Sequence, residues 1–415
     1  MSHVVTYEYG ALYYGAGESL THAQWEDLVA FRAYGGNERY FDVVHRGIQF
    51  RSYVGVLTVG RLTIEVLPKL DAARLDEGWW RGRLLDMLGV VHGLTAHHPS
   101  TSHLRTRPNN VLEFYLAHFA VAMTRLLRGG LVKQYRARSG NRTALRGRLA
   151  VGRHVRENGA HRERFFVADA AYDYDHALNR VLRTALRVAR KVAPAAPLRQ
   201  TLAELELGFP ELPPITVDAA WFDRLHYTVR TAAYRPAEEL ARLLLLNVQP
   251  GLERGERPVV ALLVDMNRLW EGFVVASLRR YGVRDVEFAA QYRGVFWRGT
   301  QSVHLQPDIL VRREDTPLAV LDVKWKQTER PSSAELYQLY AYAHHFGVPR
   351  VALLYPTLAG DGAQVQGLYG DFTRCDLLHL PTAEGDVDTW METIAGHVNT
   401  WLQLPDCAPP RQSAT

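Results

Sequence analysis

HLQPDILV, residues 304–311, and LAVLDVKWK, residues 318–326, set Asp308 fourteen residues ahead of Asp322 and place Lys324 two residues beyond it. Both runs are dominated by aliphatic and β-branched residues and read as strands. Side chains alternate along a strand, so Asp322 and Lys324 point to one face. Apolar neighbours on both sides mark the second run as a buried central strand. A carboxylate and an ammonium buried there cost several kcal/mol unless they are paired or bind an ion. Two carboxylates and an ammonium at one spot can hold a divalent metal beside a phosphate. The carboxylates supply hard oxygen ligands, and the lysine positions or deprotonates a water or neutralises developing charge. The plainer alternative is a structural ion pair, or a strand end where both groups reach water.

The neighbouring segments bear on that choice. Downstream, SSAELYQLYAYAHHFG (332–347) has serines to cap a helix and Gly347 to close it, and Gln338 and Tyr342 fall on one face at i and i+4. Tyr342 could equally pack in the core. Upstream, DMNRLWEGFVVASLRRYG (265–282) reads as a helix carrying Glu271, whose alternative reading is a surface charge. DVEFAAQ (285–291), GVFWRG (294–299) and PRVALLYP (349–356) read as further strands, and METIAGHVNTWLQL (391–404) as a last helix. The order α-β-β-β-α-β over 256–405 predicts a sheet flanked by helices. Residues 406–415 form a tail expected to be disordered.

The rest of the chain divides into two parts. Residues 1–105 are β-rich, with FDVVHRGIQF (41–50) and a hairpin in VGVLTVGRLTIEVLP (54–68) turning at Gly60-Arg61, followed by a helix over 79–92. Residues 106–255 are mostly helical. PNNVLEFYLAHFAVAMTRLLRGG (108–130) and HALNRVLRTALRVARKVA (176–193) are the longest helices, and ERGERP (253–258) reads as a linker. The arginines of 136–164 interleave with Tyr135, Phe165 and Phe166, which suits nucleic acid or a partner, though solvated faces would look the same. VHGLTAHHPSTSH (91–103) reads as a polar loop rather than a zinc site, because no cysteine or carboxylate stands at ligand spacing. The fold class expected is α+β and multi-domain.

Composition sets outer limits. A net charge of +5 permits a nucleic-acid partner without requiring one. Two cysteines, Cys375 and Cys407, make neither a zinc ribbon nor a disulfide framework and fit a reducing, cytoplasmic location. No apolar run reaches the ~18 residues of a membrane span, and the N-terminus lacks a signal-peptide pattern. No GxxxxGK[ST] run is present, so no nucleotide is expected on this chain itself.

The Pro-Asp, Asp-Val-Lys and Gln-x-x-x-Tyr elements resemble the PD-(D/E)xK nuclease superfamily and its RecB-like branch. The resemblance implies a restriction-endonuclease-like C-terminal domain with Mg2+ as cofactor. It implies Asp308, Asp322 and Glu271 as metal ligands or their supports, and Lys324 as the catalytic lysine. Gln338 and Tyr342 would orient the site or contact DNA. VGVLTVGRLTIEVLPKL (54–70), LRGRL (145–149), YDHALNRVLRTAL (174–186), NRLWEGFVVASL (267–278) and AELYQLYAYA (334–343) together are similar to McrC proteins, from about residue 45 to 356. McrC is the nuclease subunit of McrBC modification-dependent restriction systems. The likeness implies cleavage of double-stranded DNA bearing modified cytosine, and a partner, a McrB-like AAA+ GTPase hexamer, that the chain stimulates. It further implies that the N-terminal β-rich region docks in the partner's pore, with AYGGNERY (33–40) as a candidate contact or simply a surface turn. A regulatory scaffold with a degenerate nuclease domain is the alternative.

Overall fold

The computed structural model describes residues 2–70, 77–93, 110–161, 163–249, 259–299, 302–328, 330–358, 364–369, 373–382 and 385–403. The N-terminal part contains β1 (Ser2–Tyr7), β2 (Ala11–Tyr13), α1 (His22–Arg32), β3 (Phe41–Val44), β4 (Gly47–Phe50), β5 (Tyr53–Val59), β6 (Leu62–Leu67) and α2 (Glu77–Val91). The hairpin forms at the expected place: Val59 pairs with Leu62, and Gly60 takes the positive φ of 59° that a two-residue loop needs. AYGGNERY is only partly a surface turn. Gly35 and Gly36 are left-handed, but Asn37 is buried, donating to the Phe31 carbonyl, and Tyr40 packs in the core.

The middle part holds α3 (Asn110–Gly129), β7 (Gln134–Arg142), β8 (Arg148–Leu149), α4 (Val151–Asn158), β9 (Phe165–Asp173), α5 (Ala177–Val192), α6 (Ala196–Leu207), α7 (Ala219–Asp223) and α8 (Arg235–Asn247). The arginine-rich stretch builds a three-stranded sheet in the order β7-β9-β8. Arg138 forks onto Asp169 at 3.1 and 3.0 Å, and Arg136 reaches Asp175 at 2.9 Å, so part of the positive charge is matched across the ribbon. The residues of 91–103 beyond Gly93, the linker at 253–258 and the 406–415 tail lie outside the described residues.

On either side of the 253–258 segment the chain returns to the first sheet. β10 (Val248–Gln249) and β11 (Val259–Asp265) extend it to the order β1-β6-β5-β11-β10, with Leu262 opposite Val56. A Cβ at Gly55 would overlap the Leu262 carbonyl, so glycine is what lets β11 seat there. The first sheet therefore takes strands from both sides of the expected division at 255/256.

The C-terminal part comprises α9 (Met266–Tyr281), β12 (Glu287–Ala290), β13 (Gly294–Arg298), β14 (Ser302–Leu305), β15 (Ile309–Arg313), β16 (Thr316–Val323), α10 (Ser333–Phe346), β17 (Arg350–Thr357), β18 (Gln364–Val365), β19 (Arg374–Pro381) and α11 (Val387–Leu402). Its sheet runs β12-β15-β16-β17-β19-β18, with β13 and β14 paired only to each other. β16 lies antiparallel to β15 and parallel to β17. Alternation sends Leu321 to a core with Trp270 of α9 and Trp390 of α11, and Val320 to a second core with Leu339 and Tyr342 of α10. The first of these cores also takes in Val54, Trp80, Phe119 and Leu182, so the three sequence regions share one interior. The molecule is mixed α+β, and no helix among the described residues is long and apolar enough to cross a membrane.

Candidate active site

The β15–β16 register pairs Ile309 with Leu321, which brings Asp308, one residue earlier, across from Asp322. Asp308 is held by its own Oδ2, which accepts from the Val323 N–H at 2.8 Å. Asp322 is 1% exposed. Lys324 shares its face and brings Nζ to 2.7 Å from Asp322 Oδ2. That ion pair is the contact Oδ2 makes among the described residues. The Lys324 backbone N–H donates to the Leu354 carbonyl, which fixes the strand end in the sheet.

Glu271 stands beside this group on α9. Its Oε1 accepts from Gln291 Nε2, and Gln291 Oε1 accepts in turn from Gln306 Nε2. Gln291 also donates its backbone N–H to the Asp308 carbonyl at 3.0 Å, and it does so from a left-handed φ of 53°. A non-glycine residue held there is strained, and such strain gathers at functional sites. On the far side, the Tyr342 hydroxyl donates to the Gln306 carbonyl at 3.1 Å and accepts from Gln338 Nε2 at 2.8 Å. The helix pair therefore clamps the backbone two residues ahead of Asp308. The alternative reading of Tyr342 also holds, since its ring is buried.

The structure thus gathers all six sequence-predicted residues. Gln291 and Gln306 escaped the sequence reading, although Gln306 directly precedes Pro307-Asp308. Glu335 escaped it too. It makes a capping box with Ser332, binds Lys326 Nζ at 2.8 Å, and its charge acts on Asp322 and Lys324.

Burial dominates the electrostatics. It raises Asp308, whose bond from Val323 works against it and whose neighbour Glu271 adds to it. It raises Asp322, with the Asp308 charge adding and Lys324 opposing. Glu271 is raised by burial and by Asp322, against the bond from Gln291. Burial pulls Lys324 down, but Asp322 and Asp308 outweigh it and leave its pKa raised. Glu335 is held low, because bonds from Lys326 and Ser332 overcome burial. Three carboxylates face one lysine.

Among the described residues, no three His, Cys, Asp or Glu side chains converge as a ready-made metal cage. A divalent ion such as Mg2+ needs less, since it is commonly held by one or two carboxylates with waters and substrate phosphates completing the shell. Asp308 and Asp322 fit that requirement. They are hard oxygen donors, they are short of positive charge, and Asp322 Oδ2 is buried with only the lysine against it.

Fold and site together define a class: an α+β protein with an acidic, lysine-bearing site at adjacent strands of a helix-flanked sheet. The chain belongs to the McrBC family, since the model of the McrBC 5-methylcytosine restriction system component matches residues 48–356. The likeness to McrC proteins read from the sequence covers the same span. No curated protein matches the chain. Two solved structures from Thermococcus gammatolerans are similar in fold. One is a refined half-complex from a tetradecameric assembly of McrB AAA+ hexamers with bound McrC. The match is 22% identical, covers 95% of this chain and 100% of that one, and has a TM-score of 0.68. The other is the cryo-EM structure of the McrBC complex, at 23% identity over 67% and 88% of the two chains, with a TM-score of 0.50.

Proposed function

We propose that this chain is the Mg2+-dependent DNA endonuclease subunit of a McrBC-type restriction system, hydrolysing phosphodiesters in DNA that carries modified cytosine. The observation that carries the reading is Asp308 opposite the buried Asp322, with the Lys324 ammonium 2.7 Å from Asp322 Oδ2. Asp308 and Asp322 would hold the ion, with Glu271 supporting them through Gln291. A bound Mg2+ lowers the pKa of a water and offsets phosphate charge. Lys324, as an ammonium, orients the attacking water and neutralises charge on the non-bridging oxygens. Gln338 and Tyr342 keep the Gln306-Pro307-Asp308 turn in place, and the short Glu271–Gln291–Gln306 relay resists its displacement.

The same reading gives the chain a partner, a McrB-like AAA+ GTPase hexamer. The family match and the fold shared with chains of McrB–McrC assemblies support this. Target reading and energy supply fall to that partner. Cleavage of methylated plasmid by the reconstituted complex is expected to stop on EDTA addition and return with excess Mg2+. Undiminished cleavage in EDTA would rule the metal out.

The absence of a complete acidic cage among the described residues favours a second reading, a regulatory scaffold with a degenerate site. An Asp308→Ala variant that restricts phage as well as the wild type would establish it.

A further inference from the structure

The ribbon formed by β13 and β14 leaves the sheet beside the site and pairs with nothing else. Its two ends are the residues that order the site: β13 begins just after Gln291, and β14 ends one residue before Gln306. The five residues of β13 carry it outward by ~16 Å. One side of the base leans on α10, where Phe296 meets His345 at 6.3 Å and Tyr292 meets Phe346 at 5.8 Å.

The outer part presents chemistry that solvent does not favour. Phe296 and Trp297 are each 53% exposed, and Val303 is 50% exposed. The register pairs Val295 with His304 and Trp297 with Val303, leaving Phe296 as the extra residue of a bulge. Bulges re-aim side chains and are common next to active sites. The charge is one-sided. Between Glu287 and Asp308 there is no Asp or Glu, while Arg293 and Arg298 are present. Both arginines are exposed, and neither forms an ion pair among the described residues.

We propose that this ribbon grips duplex DNA flanking the scissile phosphate, with Arg293 and Arg298 on backbone phosphates and Phe296 and Trp297 against sugars and base edges in the minor groove. The inference rests on the nuclease reading and assigns the substrate-holding element to that site. An apolar wedge framed by cations suits a groove walled by sugars and rimmed by phosphates, where apolar side chains insert at base steps. A protein partner or a second copy would fit the aromatic residues, but nothing in them calls for acid-free flanks that run continuously into a phosphate-cleaving site.

The test is fluorescence anisotropy of the full chain with a labelled duplex of about 30 base pairs, measured across salt concentrations. Arg293→Ala with Arg298→Ala is expected to weaken binding and to reduce the log–log salt slope by about 1.8, the value for two phosphate contacts. Phe296→Ser with Trp297→Ser is expected to raise Kd about tenfold while leaving the slope unchanged, in line with loss of aromatic contacts. All four side chains are exposed, with Phe296 also touching His345, so melting temperatures should fall little. A wild-type chain that leaves the duplex unbound, or ribbon variants that bind it equally tightly, overturns the proposal. So do ribbon variants with normal DNA binding that fail only to engage the AAA+ ring or to self-associate. If Asp322→Asn still cleaves while the ribbon variants lose DNA, the nuclease site is misassigned and the ribbon proposal stands.

Discussion

Lys324 lies against Asp322 and within the field of Asp308, and that neighbourhood fixes its proton. An amine with a raised pKa is an ammonium near neutrality, so it acts as a positive charge and hydrogen-bond donor rather than as a base. Tyr342 is the next side chain to separate structure from function. Tyr342→Phe keeps the buried ring and removes the bonds to Gln306 and Gln338. About 1 kcal/mol of stability should go with them. Cleavage should fall about tenfold as the turn before Asp308 loosens. Unchanged cleavage would make the tyrosine a core residue only. Glu8 supplies a second pH signature, at the joint between the N-terminal sheet and the strand end that carries Lys324. Its Oε1 accepts from Lys69 N at 2.8 Å and from Trp325 Nε1 at 2.6 Å, while Oε2 is buried without a partner. Burial pushes its pKa from the ordinary 4.5 up to about 7, against the bonds from Lys69 and Trp325. The folded state thus binds the proton more tightly than the unfolded one. The stability this gives is fully present below about 4.5 and is lost as pH rises through about 7, an effect of about 3 kcal/mol. Glu8→Gln keeps the acceptor and removes the titration, so denaturation curves from pH 4.5 to 8 should lose that slope. Parallel pH dependences for variant and wild type would contradict the assignment.

At the scale of elements, β11 is the instructive strand. Its seat beside β5 depends on a backbone approach that any Cβ at position 55 would block. Gly55→Ala should therefore cost about 2 kcal/mol or more in chemical denaturation, by overlap and by strain at a φ of 132°. An unchanged midpoint would mean that β11 shifts at little cost. The elements legible in the sequence were those with local signatures: the turn at Gly60-Arg61, the capped helix from Ser333 to Phe346, and the strand carrying Asp322. HLQPDILV reads as one strand, but it breaks at 306–308 between β14 and β15, where Pro307 has no N–H for a ladder. Pairing between distant segments left no such trace. The partner of Val259–Asp265 lies some two hundred residues earlier, and the long β7–β9 ribbon reads locally as a run of charges. Asp308, Asp322 and Lys324 were legible because carboxylates and a lysine among apolar residues are costly to bury, while Glu271, Gln338 and Tyr342 were legible through the family resemblance. Gln291 and Gln306 were not, because an exposed glutamine in a turn or loop has no such cost and only geometry shows what it holds.

At the scale of the molecule, the N-terminal sheet and the end of β16 are joined directly. Trp325 follows Lys324, packs on Trp270 at 5.4 Å, and donates to Glu8 at the end of β1. Arg81 of α2 forks onto the buried Glu65 of β6, tying the next helix to the same sheet. A chain begun after residue 100 would remove Val54, Val56, Trp80 and Leu84 from the shared core, and it should lose cooperative melting. A well-folded remainder would show that the parts are independent. The central claim is that Asp308, Asp322 and Lys324 cut DNA. The most direct measurement is cleavage of methylated plasmid by the chain reconstituted with its AAA+ partner, comparing wild type with Asp322→Ala and Lys324→Ala under conditions where all three stimulate nucleotide turnover equally. Both variants are expected to lose at least ~100-fold in cleavage. Cleavage at the wild-type rate by both would contradict the account.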